Sequence, residues 1–100
     1  MTKLALYVEL KAKAGKEEEV AQFLTSAQAL VAAEPETIAW FAVRHDRNTF
    51  AIFDAFDNEA GRQAHLTGKV AAALMARAGE LFEIPPRIGR PEVLADRLPG

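Results

Sequence analysis

Five side chains in this sequence have the types and positions needed to handle a small organic molecule: His65, Asp54, Phe56, Trp40 and Arg44. The His65 imidazole titrates near neutral pH and can take up or release a proton. Alternatively it hydrogen-bonds a backbone carbonyl and fixes the junction between two helices. Trp40, the one tryptophan, offers a planar aromatic ligand a ring to stack on, and would serve equally well as core or subunit interface. Arg44 lies on the same side of its strand as Trp40 and Ala42. There it can hold a phenolate or carboxylate by charge-assisted hydrogen bonds or make an exposed ion pair. Asp54 falls inside a strand with Ile52 and Phe56, where an ionised carboxylate needs a partner; Arg62 and Lys3 are the candidates, and a structural salt bridge competes with substrate binding. Phe56 is a second ring platform. Tyr7 donates a phenol proton either into a pocket or across an interface, and His45, beside a turn, is a solvated residue.

Other chemistries lack their residues. His45 and His65 stand far apart with no carboxylate cluster nearby, so spacing makes no metal site. The sequence has no G-x-S-x-G elbow and no G-x-G-x-x-G turn, and Gly68-Lys69 lacks the upstream glycine of a phosphate loop. Flavin, nicotinamide and metal therefore have no motif, and no cofactor is expected. With no cysteine, thiol catalysis and disulfides are both excluded. The net charge is −2 and Arg87, Arg90 and Arg97 are interrupted by Pro91, Glu92 and Asp96, which argues against nucleic acid as a partner. Neither an export signal nor a membrane-length apolar run is visible, so the expected location is the cytoplasm, with no membrane contact.

These side chains must be positioned by a single domain over residues 1–100, since that length supports one core. Lys3–Lys11 alternates, with Leu4, Leu6, Val8 and Leu10 on one face and Lys3, Ala5, Tyr7, Glu9 and Lys11 on the other, which predicts a strand. Gly15 breaks it, and Glu17, Glu18 and Glu19 suit the positive end of a helix. Val20, Phe23, Leu24, Ala27, Leu30 and Val31 then form a helical stripe, which Pro35 stops. A strand over Thr37–Arg44, a turn at Asp46-Arg47-Asn48 and a strand over Thr49–Phe56 make a hairpin. Asp57 or Asn58 caps a short helix over Glu59–Leu66. Thr67 caps another helix carrying Val70, Ala73, Leu74, Arg77 and Leu81, which Gly79 can end early. Glu92-Val93-Leu94-Ala95 reads as the last strand, with Pro91 at its start.

The order is β-α-β-β-α-β, the ferredoxin-like α+β arrangement with a four-stranded antiparallel sheet. Right-handed crossovers put both helical connections on one sheet face. The hairpin is nevertheless apolar on both faces: Ile38, Trp40 and Ala42 alternate with Ala39, Phe41 and Val43, and Phe50 and Ile52 with Ala51, Phe53 and Ala55. A strand wetted on one side should alternate apolar with polar. The face without helices needs a cover, and a second copy of the same sheet is the most economical one. A homodimer packed sheet to sheet is therefore expected.

The pattern in Phe50–Leu66 resembles the antibiotic biosynthesis monooxygenase family of dimeric α+β barrels: an apolar strand, then Asp54-Ala55-Phe56-Asp57, then a capped helix ending in His65-Leu66. Pro91-Glu92-Val93-Leu94-Ala95 also looks like the closing strand of that family. Asp54 is shorter than the family's usual Glu, and Phe56 stands where Trp is common, so an indole N–H donor is lost. A haem-degrading branch carries a histidine ligand on the following helix, where this chain has Ala72, Ala73 and Leu74.

The resemblance implies oxidation of a small phenol or hydroquinone by O2, with no metal or flavin. Such a protein supplies a dry apolar pocket, a base and an anion-stabilising donor. On that reading His65 is the base or proton shuttle, Arg44 the anion partner, and Trp40 and Phe56 the ring platforms, with Asp54 beside the substrate. Two alternatives stay open: an isomerase or housekeeping enzyme acting on a small phosphorylated or carbonyl compound, and a dimer that binds a small ligand without turning it over.

Overall fold

The alternation at the start of the chain becomes strand β1 (Leu4–Lys11). It is followed by α1 (Glu17–Ala32), β2 (Ala39–Asp46), β3 (Thr49–Phe56), α2 (Glu59–Leu66), α3 (Lys69–Leu81) and β4 (Arg87–Gly89). The structure is a computed structural model that describes residues 2–99. Its sheet runs β2-β3-β1-β4 and every pairing is antiparallel, the ferredoxin-like α+β fold expected from the element order.

Local chemistry explains most boundaries. Gly15 takes φ +86°, a left-handed turn conformation that glycine adopts without steric penalty. Three glutamates then occupy the first turn of α1, where the helix dipole favours them. The buried positions of α1, Val20, Leu24, Ala27 and Val31, keep the three-and-four spacing of one helix face. Of the two proposed caps for α2 it is Asn58 that serves: its Oδ1 accepts from the Gly61 N–H at 2.9 Å.

Three expectations need correction. Thr67 does not cap α3; its hydroxyl donates back to the Gln63 carbonyl at 3.0 Å, closing α2, and Gly68 occupies the cap position. Gly79 does not end α3, which continues to Leu81. The closing strand lies at Arg87–Gly89, upstream of the expected Glu92–Ala95. Pro91 explains the shift, because it has no N–H to donate and interrupts the ladder beyond Gly89. Beyond Gly89 the chain is held to β1 and the residues before it by Ala5 N–H to Pro91 O at 2.9 Å, a bridge between Leu4 and Glu92, Val93 N–H to Lys3 O at 2.8 Å and Thr2 N–H to Asp96 Oδ2 at 3.0 Å.

The sheet has two unlike faces. On one, Val8, Leu10, Phe50 and Ile52 pack with Val20 and Leu24 of α1 and with Leu74 and Leu81 of α3. On the other, Tyr7, Phe41, Val43 and Phe53 are 38–56% exposed. This second face is not wholly bare: Ala5 and Ala55 are buried, and Val93, Ala95 and Leu98 of the C-terminal segment share a depression with Phe41 and Phe53. No helix among the described residues is long and apolar enough to cross a membrane.

Candidate functional site

His65 sits in the last turn of α2, buried between two carboxylates. Its Nδ1 lies 2.6 Å from Glu34 Oε1 and its Nε2 lies 3.0 Å from Asp54 Oδ2. Asp54 projects from β3 on the helix-covered face, and Glu34 follows the end of α1, where the Thr37 hydroxyl also donates to its Oε1 at 2.9 Å. An imidazole can donate from both nitrogens only when doubly protonated, so this setting selects the cation. Burial opposes the charge, but the hydrogen bonds and negative charges of Asp54 and Glu34 outweigh it, and the His65 pKa lies above the ordinary 6.5. The Phe56 ring, fully buried, covers the imidazole with centroids 5.6 Å apart.

Trp40 and Arg44 stand elsewhere on the same face. They line a cleft of about 350 Å³ between α1 and the hairpin, together with Leu24, Thr25, Gln28 and Phe50. The Arg44 guanidinium lies 5.0 Å from the centre of the Phe50 ring, a cation–π contact. One of its nitrogens donates to Glu18 Oε2 at 2.8 Å and to the Arg47 carbonyl at 2.9 Å. Glu18 is largely exposed, so solvent screens that pair and the guanidinium can exchange it for a ligand anion. Trp40 closes the inner end of the cleft by packing against both clusters of the core.

The five singled-out residues therefore fall into two groups. Trp40 and Arg44 share a cleft, whereas His65, Asp54 and Phe56 form a buried cluster that does not line it. Asp54 is paired with His65, not with Arg62 or Lys3; Arg62 donates instead to the Ala5 carbonyl at 3.2 Å and to Glu59 at 2.6 Å. His65 bonds two carboxylates rather than a backbone carbonyl. As a base it would first have to give up one of those bonds. Tyr7 and His45 lie exposed, lining a second depression with Glu9 and Thr49. Among the described residues no three His, Cys, Asp or Glu side chains are grouped to hold a metal ion.

Glu34 went unnoticed in the sequence. A signal was present: an acidic residue just beyond a helix C-terminus meets the negative end of the dipole and calls for a nearby cation.

No protein-family model and no curated protein matches the chain. Among solved structures, the NE2512 protein of Nitrosomonas europaea, of unknown function, is 56% identical over 100% of this chain and 97% of its own, with a TM-score of 0.98. PA3566 of Pseudomonas aeruginosa is 21% identical over 95% of this chain and 97% of its own, with a TM-score of 0.79. A second Nitrosomonas europaea protein, provisionally named an antibiotic biosynthesis monooxygenase, is 14% identical over 92% of this chain and 90% of its own, with a TM-score of 0.81. The last two likenesses show a shared fold.

Because the folded-state pKa of His65 is raised, the stability it contributes is complete below about pH 6.5 and is lost as pH rises through the raised value. Urea midpoints should therefore fall between about pH 6 and about pH 9. His65→Gln should lose about 3 kcal/mol at pH 6 and flatten the profile. A wild-type midpoint that does not change over that range would contradict the charged clamp.

Proposed function

The chain belongs to the same family as NE2512 of Nitrosomonas europaea, and from that premise we propose that it binds a small electron-rich phenol in the Trp40–Arg44 cleft and oxidises it with O2, using no metal or organic cofactor. The observation that carries this reading is the placement of an aromatic platform and a guanidinium in the walls of one cleft. A planar ring stacks on Trp40 beside Phe50, and its phenolate oxygen replaces Glu18 on Arg44, where the charge-assisted bond favours the anion. The phenol proton leaves to solvent at the open side of the cleft. The phenolate passes one electron to O2, the radical pair joins to form a carbon–peroxide bond, and the peroxide takes a proton back from solvent. Loss of the ring C–H proton then breaks the O–O bond, releasing one water and leaving a quinone. One oxygen atom enters the product and the other leaves as water. Fold neighbours provisionally named monooxygenases support the reaction class.

His65 holds a different role here from that of base. With both nitrogens bonded, it acts as a positioning residue that keeps Asp54 and the Glu34 loop fixed behind Trp40. The same occupancy favours a second reading, in which the cleft binds its ligand without turnover.

The subunit is one half of a cytoplasmic homodimer in this account. Tyr7, Phe41, Val43 and Phe53 present an apolar sheet face. A second copy stacked sheet to sheet removes these side chains from water.

Sedimentation at micromolar concentration should give a dimer, and Phe41→Glu should convert it to a folded monomer; a wild-type monomer would refute the assembly. Oxygen uptake with a naphthol should persist in the presence of chelator, and Arg44→Ala should lower kcat/KM by about tenfold, the loss of one charged hydrogen bond. If Trp40 fluorescence responds to the naphthol while no oxygen is consumed, the non-catalytic reading stands and the monooxygenase reading falls.

A further inference from the structure

Two buried polar atoms on neighbouring strands have no hydrogen-bond partner among the described residues: Trp40 Nε1 and Asp54 Oδ1. Trp40 and Asp54 are direct partners in the β2–β3 register, so their side chains stand on one face with Cβ atoms about 5 Å apart. Asp54 is only 1% exposed. His65 engages its other oxygen, Oδ2, which leaves Oδ1 fixed in place and without a partner. A buried carboxylate oxygen and a buried indole N–H are each costly to leave unbonded. We propose that Asp54 Oδ1, which does not line the cleft in this structure, and Trp40 Nε1 become its inner end when a ligand displaces the Trp40 ring, a subsite that recognises a neutral hydroxyl of the ligand. The inference rests on the cleft reading above and deepens it.

The donor–acceptor pair decides the chemistry. A hydroxyl both donates and accepts, so a single O–H can donate to Asp54 Oδ1 and accept from the Trp40 N–H. A carbonyl offers Asp54 no proton, and a carboxylate is repelled by it. An ammonium satisfies Asp54 but leaves the indole N–H unbonded. Arg44 lies four residues along β2 from Trp40, about 13 Å of strand. The two polar ends of the cleft are thus well separated and unlike: a cation at the outer end takes an ionised oxygen, and a donor–acceptor pair at the inner end takes a neutral hydroxyl. The ligand class that fits is an elongated arene of at least two fused rings, with a hydroxyl at each end. The His65 clamp then has a task in recognition, because it holds Oδ2 and so fixes where Oδ1 points.

The test is calorimetric binding to the intact protein, without oxygen, of a naphthalenediol with one hydroxyl on each ring and of its monomethyl ether. The wild type should bind the diol roughly tenfold more tightly than the ether. Trp40→Phe, which keeps the ring and loses the N–H, and Asp54→Asn, which puts an amide in place of the carboxylate, should each reduce that preference to about twofold or less. Trp40→Phe leaves the His65 clamp untouched, so it carries the test even if Asp54→Asn fails to fold. Equal affinities in the wild type, or a preference that survives in Trp40→Phe, would overturn the hydroxyl subsite while leaving the cleft in place. No binding of either compound to the wild type, or a diol affinity unchanged in Arg44→Ala, would overturn the cleft reading and the subsite with it.

Discussion

One imidazole between two carboxylates ties together three segments that the chain keeps far apart. Glu34 belongs to the connection leaving α1, Asp54 to the central strand β3, and His65 to the last turn of α2. Were the histidine neutral, one carboxylate would lose its donor, and both would face each other across a low-dielectric gap. As a cation it offsets both, and the negative end of α1 as well. The clamp sets the path by which the chain turns from α1, past Pro35, into β2. It therefore also sets where Trp40 enters the core and where Arg44 emerges at the cleft rim. Removing the charge would disturb an edge strand, and with it the proposed binding cleft, which His65 does not line.

A second constraint comes from the unequal faces of the sheet. The helix-covered face is closed by aliphatic packing and carries the clamp. The other is greasy where Phe41 and Phe53 stand, and is partly sheltered by the chain's own C-terminal residues. That sheltering reduces the area a second subunit must cover. It also brings residues after Pro91 to the same surface, so the tail and the proposed dimer contact belong to one problem of burial.

Much of this was legible in the sequence where a single period dominates. Strand β1 and the α1 stripe read clearly because their apolar residues keep period two and period three-and-four, and β3 read as a strand although small alanines are buried on its second face as well. The fold class followed from their order. Legibility failed where one residue's backbone chemistry overrides the pattern. Pro91 lacks an N–H, and the paired strand lies before it at Arg87–Gly89; Gly68 takes the cap that Thr67 would have filled by type. The site was only half visible. Trp40 and Arg44 lie four apart on one strand and share a face by simple alternation, so their meeting could be read. The partner of His65 could not, since Glu34 lies 31 residues away in a connection and no local rule links the two.

The central claim is that His65 is held as a doubly protonated bridge. Nitrogen-resolved NMR of the labelled imidazole at neutral pH tests it most directly. The account predicts that His65 shows two slowly exchanging ring N–H signals, one for the bond to Glu34 and one for the bond to Asp54. A neutral His65 with one protonated nitrogen at that pH would contradict it.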